Sequence, residues 1–203
     1  MKRCIAMLLA VVMLLTMTAC GAKEDVSVVG TWEAEIDYAK VINTCMAENE
    51  VLKVTGATAE KAPVKVTYVF EEDGIVSCTI DKEQLHAHLM VLFREILAPI
   101  AALAGKTIEE YVATAGQTDE ELLISLFTEG VYKNITEALV VNGGYTVSGD
   151  KLTVTADGHT LQATVKREGD TLTLSAAVGT NTATDAQAQA VQALFPAAFR
   201  KVG

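Results

Sequence analysis

Hydrophobic and polar positions along this chain follow two rhythms, and the change between them divides the sequence. From Val28 to Ile36 the pattern alternates, with Trp32, Ala34 and Ile36 on one side and Thr31, Glu33 and Glu35 on the other. A period of two with one polar face predicts a half-buried antiparallel strand. Asp37 then offers an N-cap for a short helix from Tyr38 to about Ala47. Asn49 to Ala62 reads as loop, with a short strand at Val51–Val54. Val64 to Phe70 alternates again, Asp73-Gly74 supplies a hairpin turn, and Ile75 to Ile80 returns.

The middle of the chain changes to a helical period. Asp81 with Gln84 predicts a capping box, after which Leu85, Leu89, Leu92, Phe93, Ile96, Ile100 and Leu103 fall on one stripe. Pro99 is expected to kink or end that helix near Ala98. Thr107 with Glu110 opens a second helix ending at Gly116. Thr118 with Glu121 opens a third, whose stripe is Leu122, Leu123, Leu126, Phe127, Val131 and Ile135. Beyond Leu139 the alternation resumes. Tyr145 to Val154 forms one hairpin about Gly149-Asp150, and Thr160 to Leu174 forms another about Gly169-Asp170. The repeated Gly-Asp-x-Leu-Thr marks an up-and-down meander. Asn181 to Ala190 reads as loop running into a short helix, and Phe195 to Lys201 as a closing strand.

The predicted class is therefore α+β: an antiparallel meander or partial β-barrel with a central insertion of about three helices at roughly residues 81–140. Each helix has an apolar face, so all three need something to pack on.

The first residues follow neither rhythm. Lys2 and Arg3 precede an apolar run from Ile5 to Leu15, too short for the roughly 20 residues a spanning helix needs. Met17-Thr18-Ala19-Cys20-Gly21 follows, and it resembles the lipobox of bacterial lipoproteins. That resemblance implies cleavage before Cys20, lipid on its thiol, and residence at the extracytoplasmic face of a cell membrane. Residues 1–19 are then a signal peptide, 20–27 a lipidated tether, and 28–203 the domain. Gly21 to Ser27 reaches at most ~25 Å when extended, so the domain is expected close to the membrane.

Charge narrows the partners. The chain carries 16 Lys and Arg against 26 Asp and Glu, a formal charge of −10, and loss of Lys2 and Arg3 makes it more negative still. Such acidity argues against nucleic acid and against lying flat on anionic lipid. Cys45 and Cys78 remain in the body. Cys78 falls on an apolar-facing strand position and reads as a buried thiol, with a bridge to Cys45 left open.

Val29-Gly30-Thr31-Trp32 resembles the Gly-x-Trp motif of lipocalin-like proteins. The meander from Gly144 to Ser175 and the Phe-Arg-Lys ending extend the likeness. The whole chain resembles small lipocalin-like lipoproteins of gut clostridia, a family of unassigned function; the helical insertion departs from lipocalins proper. The resemblance implies that Trp32 plugs one barrel end with a late-strand arginine across its indole, and Arg200 is the candidate. It also implies a barrel able to hold a small apolar molecule or peptide, with Tyr68, Phe70, Phe93 and Phe127 as candidate lining.

Catalytic and metal chemistry is hard to place. Gly105-Lys106-Thr107 lacks the earlier glycine and preceding strand of a phosphate loop. His86 and His88 lie about 200° apart around a helix and cannot share a metal as an i, i+4 pair does. No Gly-x-Ser-x-Gly elbow or His-Glu-x-x-His helix occurs. The sequence thus predicts no enzyme and no cofactor. It leaves two readings: a membrane-anchored binding module for a small apolar ligand or peptide, or a non-catalytic envelope structural or protein-interaction module.

Overall fold

Alternation of side chains across a pleat lets one strand face oil and water at once, and eight such strands follow one another here. In the computed structural model, described for residues 25–48, 56–119, 121, 122, 125, 141–156, 159–177, 192 and 194–203, they are β1 (Gly30–Asp37), β2 (Pro63–Phe70), β3 (Ile75–Ile80), β4 (Val141–Ser148), β5 (Lys151–Ala156), β6 (His159–Glu168), β7 (Thr171–Ala177) and β8 (Ala197–Val202). Among the described residues three helices have clear bounds: α1 (Ala39–Glu48) between β1 and β2, then α2 (Lys82–Leu103) and α3 (Ile108–Ala115) between β3 and β4. Further helical residues follow at 119, 121, 122 and 125.

Every strand pairs antiparallel with the next, and β8 returns to β1 through Thr31↔Val202, Trp32↔Lys201 and Glu33↔Arg200, closing the barrel. The sheet is thus closed, not partial. Closure survives the helical insertion because the chain leaves β3 and rejoins β4 at the same end of the barrel. Ile75 to Cys78 therefore pair with Gly144 to Val141 as directly as in a plain hairpin, and a closed sheet leaves no edge to pair wrongly.

The two ends of the barrel differ. One carries the tight connections β2–β3, β4–β5 and β6–β7. Gly149 (φ 60°) and Gly169 (φ 59°) adopt there the left-handed backbone that two-residue hairpins require. Residues 25–28 cross this same end. Val26 N–H donates to Gly149 O at 3.0 Å, Asp25 Oδ1 accepts from Gly149 N–H at 2.6 Å, and the Arg167 guanidinium donates to Ser27 O at 3.0 Å. The opposite end carries the connections that hold α1, α2 and α3.

Local signals explain the helix boundaries. The helix α1 starts at Ala39, one residue later than expected, with Tyr38 O accepting its first bond. Asp37, just before it, accepts through Oδ1 from Ala39 N–H at 3.0 Å and Ala62 N–H at 2.9 Å, tying the helix start to the returning chain. Asp81 caps α2, accepting from the amides of Glu83 and Gln84. Gln84 does not complete the expected box; its side-chain oxygen instead accepts from Lys65 N–H of β2 at 2.9 Å. Thr107 and Glu110 form a full capping box, and α3 ends at a left-handed Gly116.

α2 passes through Pro99 instead of stopping near Ala98. The proline costs one backbone hydrogen bond, and burial of Ala101, two residues later, holds the helix to Leu103. Thr118 and Glu121 exchange the hydrogen bonds of a capping box, as expected for a further helix start. Leu122 of its stripe packs partly buried against the core. Leu123, Leu126, Phe127, Val131 and Ile135 lie outside the described residues, as do Val51–Val54 and Asn181–Ala190. β1 begins at Gly30, two residues later than the alternation suggests, while Val28 is buried as part of the crossing segment.

One hydrophobic cluster joins barrel and helices. It includes Trp32, Val66 and Leu172 from the strands, Ile42 from α1, Leu89 and Phe93 from α2, and Val112 from α3. The helices are a roof on the barrel, not a separate bundle. At the surface, Arg94 of α2 reaches Glu109 at 3.2 Å and Asp119 at 3.0 Å. Exposed pairs of this kind contribute ~0–1 kcal/mol.

Candidate functional site

Inward alternation on β2 places Val64, Val66, Tyr68 and Phe70 on the barrel side of the sheet, all buried. The Tyr68 and Phe70 rings are near-parallel with centroids 5.7 Å apart. Phe199 of β8 meets Tyr68 edge-on at 5.3 Å, and Tyr145 of β4 meets Phe70 edge-on at 5.0 Å. Offset and edge-to-face pairs of this type each add about 0.5–1.5 kcal/mol beyond burial. Phe93 enters the same core from α2 and is fully buried. Three of the four expected lining residues, Tyr68, Phe70 and Phe93, therefore share one interior. Phe127 lies outside the described residues, as does Cys20.

Three weakly polar groups interrupt this apolar space. Tyr68 and Cys78 are buried cross-strand partners, which sets the phenol beside the thiol. The phenol of Tyr38, at the end of β1 nearest the helices, lies close enough to feel both. Its backbone N–H donates to Ala62 O at 2.8 Å, but its hydroxyl, fully buried, has no hydrogen-bond partner among the described residues. Burial pushes the Cys78 thiol up to about 12 and raises the phenol of Tyr68 well above its ordinary value. Burial likewise raises Tyr38, helped by the neighbouring Cys78. All three are protonated donors at neutral pH. No charged or strongly polar residue is buried among the described residues.

The closed end is built differently. Trp32 is fully buried, and its indole N–H donates to Val28 O at 2.6 Å. The cation over its ring is Arg167, with the guanidinium carbon 5.4 Å from the centroid. Arg200 does not take that place. It follows inward Phe199, points outward beside Glu33 in register, and is exposed. The sequence signal for Arg167 is parity: Ala163, Val165 and Arg167 share the inner side of β6, so the cation ends an apolar series. Tyr38 went unnoticed because a residue between a strand and a helix carries no periodic signature.

Cys45 and Cys78 are buried thiols, and no bridge joins them. His88 places a ring nitrogen 3.0 Å from Pro63 O, and no cluster of three metal-ligating side chains occurs among the described residues. Outside the barrel, residues 56–61 and α2 enclose a groove of about 540 Å³ lined by His88, Val91, Leu92 and Glu95. Asn43 fixes its far wall through paired hydrogen bonds with Ala59, at 2.9 and 2.8 Å. Comparison of the chain with family models, curated proteins and solved structures finds no match in any of the three.

Proposed function

We propose that this protein is a lipid-anchored, extracytoplasmic, lipocalin-like barrel that holds a small, neutral, largely apolar molecule beneath its helical roof, without catalysing a reaction. The observation that carries the proposal is the Tyr38 hydroxyl, buried and unpartnered among the described residues. A buried donor left unsatisfied costs about 1–3 kcal/mol, so the site calls for an acceptor that the described chain does not supply. Aromatic and aliphatic walls with a few convergent polar groups are the usual make-up of a small-molecule site, and eight-stranded barrels are of the width that either fills with side chains or holds one small ligand. An alcohol, ketone or ether oxygen suits a neutral phenol. A carboxylate would enter without a cation to pair it, which is costly. The Met17-to-Gly21 pattern supports lipid on Cys20.

Decane, decanol and decanoate test this, read through Trp32 fluorescence and the melting temperature. Decanol should bind most tightly and decanoate least. Tyr38→Phe should weaken decanol about five- to tenfold, the worth of one hydrogen bond, while leaving decane unchanged. Equal effects on decanol and decane would remove Tyr38 from the site.

A second reading makes the barrel a filled scaffold for protein interaction, and complete burial of Trp32, Phe93 and Phe199 favours it. On that reading none of the three probes binds, and Tyr38→Phe simply raises stability by relieving the orphaned hydroxyl.

A further inference from the structure

We infer that the hairpin end of the barrel faces the lipid surface and that the helical roof faces away from it. This rests on the lipid-anchor reading of Cys20 above, and its support is where the chain enters the fold. Residues 25–28 are fixed across the closed end by three contacts: Asp25 and Val26 to Gly149, and Ser27 to Arg167. Val28 is buried beside Trp32 and receives its indole N–H. β4–β5, which carries Gly149, lies across the barrel from β1 in the strand order. The segment therefore spans the whole closed end and emerges at its rim.

Reach decides the orientation. Only residues 21–24 separate Cys20 from Asp25, and in any conformation that stretch covers at most ~18 Å. The eight residues of β1 rise about 26 Å along the strand, or roughly 20 Å along the axis of a barrel with its usual tilt. A helix layer adds about 10 Å. The outer side of the roof stands ~30 Å from the point where the chain emerges, farther than the tether extends. An inserted lipid on Cys20 can bring the hairpins β2–β3, β4–β5 and β6–β7 to the bilayer, but not α2. The groove between residues 56–61 and α2, and any path into the barrel beneath the roof, then open toward the medium.

The test uses full-length lipidated protein in vesicles containing a nickel-chelating headgroup lipid. Spin labels are placed at Asp170→Cys on the hairpin end and Lys61→Cys at the roofed end; both positions are exposed, and Cys45 and Cys78 are buried. The Asp170 label should relax several-fold faster with nickel than without it, while the Lys61 label stays unchanged. A long Gly-Ser insertion between residues 24 and 25 should abolish the difference. Equal relaxation of the two labels, or faster relaxation at Lys61, overturns the orientation while leaving the anchor intact. If the full-length protein does not stay with vesicles, or a Cys20→Ala form stays equally well, the anchor reading fails and the orientation fails with it.

Discussion

Arg167 and Arg200 carry the same charge on neighbouring parts of the sheet wall, and only their parity separates them. Arg167 follows Val165 on the inner side of β6. It stands over Trp32 and donates to Gly169 O at 3.1 Å and Ser27 O at 3.0 Å. Arg200 follows Phe199 and looks outward. Losing Arg167 removes a cation–π contact worth about 0.5–2 kcal/mol and two charge-assisted bonds to backbone carbonyls. Arg167→Ala should therefore lower unfolding stability by about 1–3 kcal/mol, whereas Arg200→Ala should stay within about 0.5 kcal/mol of wild type. Urea unfolding followed by Trp32 fluorescence compares them, and equal losses would remove the distinction. That an arginine belongs over Trp32 was readable from the resemblance. Which arginine it is depended on counting inward positions along β6, since closeness to the chain end carries no such information.

At the scale of elements, β4 is the strand whose sequence looks least like a strand. Val141-Asn142-Gly143-Gly144 has weak β-propensity, yet it pairs with β3 on one side and β5 on the other. Space explains one glycine and not the other. A Cβ on Gly143 would collide with the Thr155 carbonyl and come within 2.8 Å of Ala156 Cβ, whereas one on Gly144 would find its nearest neighbour, Gly74 O, at 3.8 Å. Neither residue has a positive φ, so the difference between them is steric. Gly143→Val should cost about 1–3 kcal/mol or more through overpacking, and Gly144→Ala should be nearly neutral or mildly stabilising. Thermal melts of both variants decide it; a stable Gly143→Val protein would mean that β4 and β5 sit farther apart. The seven strands with clear alternation were legible because each has one wet face. The start of β4 was not, because its reason for being a strand is its neighbours. The passage of α2 through Pro99 was hidden for a related reason, since the burial of Ala101 that sustains it is a tertiary fact.

For the whole molecule, the decisive feature is that barrel and roof share one core, and the protons held inside that core make this measurable. Local patterns predicted each apolar face, but not that β3 would rejoin β4 across the helices, since closure depends on contacts far apart in sequence. Cys78 from β3, Tyr68 from β2 and Tyr38 beside α1 are all held protonated by burial, with the thiol raised from 9.0 to about 12. In the unfolded chain the thiol and phenols ionise at their ordinary values of 9.0 and 10.0. The unfolded state therefore releases protons that the folded state keeps. The contribution of these groups is intact below about pH 9 and is lost as pH rises, by about 1.4 kcal/mol per pH unit for each group engaged. Stability should decline from about pH 9 and more steeply above about pH 10, when the phenols join the thiol. Because the three groups lie under both layers, Trp32 fluorescence and helical circular dichroism should fall together along one alkaline transition. In Cys78→Ala the first part of the decline should become shallower than in the parent protein while the steeper part remains. If the helical signal is lost at a lower pH than the Trp32 signal, the roof unfolds without the barrel, and the two do not share a core in the sense drawn from their packing.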